Sequence, residues 1–126
     1  MKQVIQCDKA PQAIGSYSQL VKAENMIYSS GQIALDPETG KLVGSLVREQ
    51  SQRVMKNIAI LLQECQLNFS DVVKVTIYLK NMADFKSVND VYQSYFCGNY
   101  PARSTVEVSA LPKGALVEID FIACCS

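Results

Sequence analysis

Tyr100-Pro101-Ala102-Arg103 sets an arginine at the start of a predicted strand, two residues after a proline. A guanidinium held on a rigid element offers a two-toothed fork of donors to a carboxylate; the plainer alternative is a surface arginine. Glu118 falls inside the apolar run Leu116-Val117-Glu118-Ile119. Partly dry surroundings raise a carboxyl's pKa and let it pass protons near neutrality, unless a neighbouring cation pairs with it. In Ser29-Ser30-Gly31-Gln32 a strand ends in small residues. Gly31 there lets a ligand approach the backbone, and its amide can donate to an anion, although a glycine at this place also suits a bulge. Ala13-Ile14-Gly15-Ser16-Tyr17-Ser18 reads as a turn feeding a strand, with the Tyr17 phenol at its start. Asn89, between Val88 and Asp90 on a predicted helix, is either a ligand contact or the border of an apolar stripe.

Composition narrows the chemistry these residues can serve. The chain has 126 residues and no histidine, which removes histidine triads, histidine-containing zinc sites and imidazole acid–base catalysis together. Twelve Lys plus Arg balance twelve Asp plus Glu, so no basic excess is present to neutralise a phosphate backbone. The five cysteines, Cys7, Cys65, Cys97, Cys124 and Cys125, are odd in number and form no C-x-x-C pair. Free, reduced thiols are expected. The amino terminus lacks the apolar stretch of a signal peptide and no run approaches a membrane span. A soluble, cytoplasmic protein is the expectation.

The elements that must position these residues are legible from periodicity. Tyr17 to Val21 and Met26 to Ser30 flank Lys22-Ala23-Glu24-Asn25 as a hairpin, with a short strand at Gly31-Gln32-Ile33-Ala34. Val47 to Gln66 is predicted helical, because Val47, Val54, Met55, Ile58, Leu61, Leu62 and Cys65 recur at three- and four-residue steps. Val72 to Lys80 alternates as a strand, with Val73, Val75, Ile77 and Leu79 on one face. A second helix spans about Ala83 to Phe96. Ala102 to Ala110 and Leu116 to Cys124 then read as a closing hairpin, which would put Arg103, Thr105, Glu107 and Ser109 on one face with Leu116, Glu118, Asp120 and Ile122. The chain is expected to be one α+β domain over residues 1–126, with two helices covering one face of a mixed sheet. Leu116 and Ile122 beside Glu118 and Asp120 on the uncovered face suggest an oligomer that packs sheets together and leaves polar clefts at the seams; solvent exposure is the alternative.

Several segments together resemble the RidA/YjgF family. They are Ala10-Pro11-Gln12-Ala13-Ile14-Gly15-Ser16-Tyr17-Ser18-Gln19, Ser29-Ser30-Gly31-Gln32-Ile33 and Asp71-Val72-Val73-Lys74-Val75-Thr76-Ile77-Tyr78-Leu79. The most specific are Tyr100-Pro101-Ala102-Arg103-Ser104-Thr105-Val106-Glu107-Val108 and Ala110-Leu111-Pro112-Lys113-Gly114-Ala115-Leu116-Val117-Glu118-Ile119. The resemblance runs in order from about residue 3 to residue 123.

It implies a chorismate-mutase-like α+β fold and a homotrimer with three ligand clefts between subunits. It also implies 2-iminoacid/enamine deaminase activity, which turns 2-aminoacrylate or 2-iminobutanoate into 2-oxoacids and ammonia. Carried over by residue, Arg103 matches the arginine that grips the substrate carboxylate and Glu118 the catalytic glutamate. Tyr17, Ser30, Gly31 and Asn89 match other cleft positions. Two positions depart from the family pattern. Ser16 stands where proline often precedes the tyrosine, and Thr105 stands where several members have a cysteine, a change expected to tune specificity. A 2-imino acid is already electrophilic at C2, so neither metal nor cofactor is expected. A non-catalytic trimeric binder of small carboxylates is the alternative, and an endoribonuclease or translation inhibitor fits the neutral charge less well.

Overall fold

The computed structural model describes all 126 residues. Strands β1 (Lys2–Ile5), β2 (Leu20–Ala23) and β3 (Met26–Ser29) precede helix α1 (Val47–Glu64). Strand β4 (Val72–Leu79), helix α2 (Phe85–Gln93), strand β5 (Ala102–Glu107) and strand β6 (Val117–Cys124) follow. All six strands join one mixed sheet in the order β1-β2-β3-β6-β4-β5. The α+β architecture with two helices is thus as expected; several details of pairing are not.

The closing hairpin does not form. β6 lies between β3 and β4, antiparallel to both, while β5 pairs in parallel with the far edge of β4. Parallel neighbours need a crossover, and α2 supplies it between β4 and β5. Burial explains the placement. Every second residue of β6 is buried, from Val117 to Ala123, as a strand with two neighbours requires, whereas β5 has no buried residue and sits at the edge. This order reverses the predicted face of Arg103. Arg103 stands opposite Val75 and Thr105 opposite Ile77, both of which are buried beneath the helices. Glu118 stands opposite Tyr78, and Asp120 opposite Thr76, on the uncovered face.

Three smaller corrections have equally local causes. A register shift between Val72 and Lys74 turns Val73 outward, so Val72 rather than Val73 joins Val75, Ile77 and Leu79 in the core. The first strand is Lys2–Ile5, too exposed to show a clear alternation, and Tyr17 lies ahead of β2 rather than in it. Gly31 to Ala34 forms no strand and holds the sheet only through the bridge from Gln32 to Ile119.

Helix α1 follows its predicted stripe: Val54, Met55, Ile58, Leu61 and Leu62 are buried against the sheet. Burial of each such side chain contributes about 1.5–3 kcal/mol. Its first turn is held by Glu49, which accepts from the Ser45 and Leu46 amides at 3.2 Å each. Buried Gln50 accepts from the Leu116 amide at 2.8 Å and donates to the Gly44 carbonyl at 3.0 Å, which pins the segment entering β6 to the helix. That contact fixes where Glu118 begins its strand. No helix is long and apolar enough to cross a membrane, and all five cysteines are free.

Candidate active site

The chemistry-bearing residues fall into two separate cavities. One, of about 630 Å³, is lined by Tyr17, Ser30, Gly31, Lys113 and Glu118 together with the apolar Ile14, Ile33 and Leu35. The loop before β2 is drawn into its wall by buried Gln19, which accepts from the Cys7 amide at 2.7 Å and donates to the Cys7 and Pro11 carbonyls. Beyond β3, the Gln32 amide donates to Ile119 O at 2.8 Å and the Ile119 amide to Gln32 O at 3.0 Å. That pair laces the segment onto β6 one residue past Glu118.

Gly31 consequently lies against the Glu118 carboxyl. A Cβ at position 31 would collide with Glu118 Oε2 and come 2.7 Å from its Cδ. The glycine is needed for space, not for an unusual φ. Its own N–H makes no hydrogen bond within the chain and is left for a ligand. Gly31→Ala is expected to push the carboxyl aside while leaving the fold intact. A loss of about tenfold or more in activity at near-unchanged Tm, read by steady-state kinetics and calorimetry, checks it.

Glu118 is half-buried and has no cation beside it; the single ion pair of the chain is Lys86–Asp90, on the surface of α2. Burial, and secondly the charge of Asp120, pushes its pKa above the ordinary glutamate value. Burial also raises Asp120, against the opposing effect of the Tyr78 hydroxyl that donates to its Oδ2 at 3.0 Å. The folded chain therefore holds the Glu118 proton more tightly than the unfolded chain does. Ionising it costs stability as pH rises from the unfolded value of 4.5 through the raised folded one. Below the first the cost is absent; above the second it is complete. Glu118→Gln is thus expected to raise Tm at pH 7, with the gain vanishing below about pH 4 in a calorimetric pH series.

The second cavity, about 370 Å³, is lined by Asn89, Tyr92, Gln93, Tyr100, Pro101 and Arg103. Arg103 Nη1 donates to Asn89 Oδ1 at 2.5 Å. The guanidinium carbon lies 5.0 Å from the Tyr92 ring centre and 5.2 Å from that of Phe85. No carboxylate meets it. Arg103 therefore keeps most of its donors unassigned, which is the arrangement of an anion receptor.

The fold thus gathers Tyr17, Ser30, Gly31 and Glu118 in one place and Arg103 with Asn89 in another, on opposite faces of the sheet. Thr105, expected at the ligand, lines neither cavity. It is half-buried two residues past Arg103, and its Oγ1 has no partner. Lys113, which lines the Glu118 cavity, was not anticipated; its place in Leu111-Pro112-Lys113-Gly114, just ahead of β6, is the signal that points to it.

The family profile described as endoribonuclease L-PSP matches residues 7–125. The human protein named 2-iminobutanoate/2-iminopropanoate deaminase is 44% identical over 123 residues, 98% of this chain and 90% of that one. The chain belongs to the RidA/YjgF family. Solved members share its topology throughout. RidA from an Antarctic Psychrobacter superposes with a TM-score of 0.92 at 43% identity, covering 97% of this chain and 98% of that one. Escherichia coli TdcF, solved with bound serine, superposes with the same TM-score at 35% identity, covering 98% of this chain and 99% of that one. Four of the five segments that suggested RidA/YjgF contribute residues to the two cavities, whereas Asp71 to Leu79 lines neither.

Proposed function

We propose that the protein is a 2-iminoacid/enamine deaminase, working as a homotrimer in which Arg103 of one subunit faces the Glu118 cavity of the next. The observation that carries this reading is the pair of unneutralised charges. Arg103 and Glu118 each sit half-buried in a cavity and neither makes an ion pair, Lys113 lining the Glu118 cavity without pairing with it, and each supplies one half of a site for a small imino acid. The uncovered sheet face supports association: Val4, Tyr28, Val73 and Val106 remain exposed on or beside it. Relatives named as deaminases and the serine bound to TdcF agree with an amino-acid-sized, carboxylate-bearing ligand.

The reaction asks little of the protein. Arg103 and the Gly31 amide hold the substrate carboxylate, which orients the C=N carbon towards Glu118. The Glu118 carboxylate takes a proton from water as the water oxygen bonds to C2, and the C=N π electrons move to nitrogen. Glu118 returns that proton to the nitrogen, giving a carbinolamine. In a second transfer it carries the carbinolamine hydroxyl proton to the same nitrogen as the C=O bond forms and the C–N bond breaks, so that ammonia and the 2-oxoacid leave. A raised Glu118 pKa suits both transfers near neutral pH. The family's endoribonuclease description finds less support in a chain of zero net charge without histidine.

The test generates 2-iminobutanoate in situ and follows 2-oxobutanoate. Rates above the uncatalysed hydrolysis, lost in Glu118→Gln, are the expected result. A rate equal to background rejects the catalytic claim and leaves a carboxylate-binding protein.

A further inference from the structure

We propose that Phe85 and Tyr92 are positioning residues, whose ring faces clamp the Arg103 guanidinium and leave its donor edge free for a carboxylate. The inference rests on the reading of Arg103 as the carboxylate grip and adds how a half-buried guanidinium keeps its donor edge free. A half-buried guanidinium ordinarily meets a carboxylate or several carbonyls, which consume its N–H groups. Here one N–H goes to Asn89 Oδ1, and the rest of the charge is balanced by ring faces at 5.0 and 5.2 Å. A π face attracts the cation yet accepts none of its in-plane donors. The clamp therefore offsets burial without spending the fork.

Both rings belong to α2, seven residues apart, so they stand two turns apart on one side of the helix with Asn89 between them. The helix is itself anchored at its start, where Glu107 of β5 accepts from the Met82 amide at 2.7 Å. The Tyr92 hydroxyl has no partner and is dry; burial pushes its pKa up, against the pull of Arg103. An unpartnered phenol in that position assigns the role to the ring and not to the oxygen.

The test measures binding of 2-oxobutanoate by calorimetry and steady-state KM and kcat, in Phe85→Leu, Tyr92→Leu, Tyr92→Phe and Arg103→Ala. Loss of either ring is expected to weaken binding and raise KM about tenfold, with a smaller change in kcat. Tyr92→Phe, which restores the ring alone, is expected to recover most of that loss. The Arg103 Nε–H resonance should carry an upfield ring-current shift in the wild type that Tyr92→Leu removes and Tyr92→Phe retains. Should Tyr92→Leu fail to fold, Phe85→Leu at its half-buried position decides alone. Ring variants that fold and bind 2-oxobutanoate as the wild type does, while Arg103→Ala does not, overturn the clamp and leave the site. Tyr92→Phe as damaged as Tyr92→Leu overturns it in favour of the hydroxyl. Undiminished binding by Arg103→Ala overturns the site and the clamp together.

Discussion

Glu118→Gln is expected to lower kcat by about 10²-fold or more while leaving KM within a few-fold of wild type. The amide keeps the size and hydrogen-bonding reach of the carboxyl, so the cavity around Gly31 and Tyr17 stays filled. What disappears is the proton acceptor. Every step that moves a proton to or from water or nitrogen has been assigned to this one group, and the 630 Å³ cavity holds no other carboxylate that replaces it. Asp120, two residues along β6, lines no part of that cavity and is engaged by Tyr78. The same substitution is expected to stabilise the fold at pH 7, because it removes a carboxylate whose ionisation burial opposes. Lost turnover together with a raised Tm would separate a functional charge from a structural one, since removing a structural charge lowers both. A kcat unchanged in a coupled assay would take acid–base work away from Glu118.

Where the sequence was legible, one local signal sufficed. The α1 stripe from Val54 to Leu62 needs only helical periodicity, and the alternation in β6 needs only the pleat. Arg103, Glu118, Gly31 and Tyr17 were each visible from their neighbours in the chain. Their relative placement was not, because it depends on which strand lies between two others. Alternation says that Arg103 and Thr105 share a face, and that Glu118 and Asp120 share a face, but it is silent on whether those faces coincide. Reading β5 and β6 as hairpin partners made them coincide; inserting β4 between them and running β5 parallel set them apart. The bulge at Val73 shows the same limit within a single strand. Phe85 and Tyr92 fall where helix aromatics ordinarily pack into a core, and the cation between them is a tertiary fact that no spacing along α2 announces.

Because Arg103 and Glu118 occupy opposite faces of one chain, the proposed trimer makes a prediction that an intrachain site cannot. Arg103→Ala alone is expected to lower kcat/KM at least tens-fold, from the loss of a charge-assisted pair of about 1.5–3 kcal/mol with the substrate carboxylate. Glu118→Gln alone is nearly inactive, so neither variant turns over well as a pure population. Mixed by gentle denaturation and refolding, the two chains form trimers of both kinds. In any mixed ring, one seam joins an intact Glu118 from one subunit to an intact Arg103 from its neighbour. Random equal mixing is then expected to restore about a quarter of the wild-type activity, since about three in four trimers are mixed and each has one good cleft in three. Light scattering confirms that the mixture is trimeric, and the turnover assay reads the gain. If each cleft drew both residues from one chain, mixing would restore nothing, because every chain would still lack one of the two. A mixture no more active than the mean of its parents would therefore break the shared cleft, whatever the activity of the wild type.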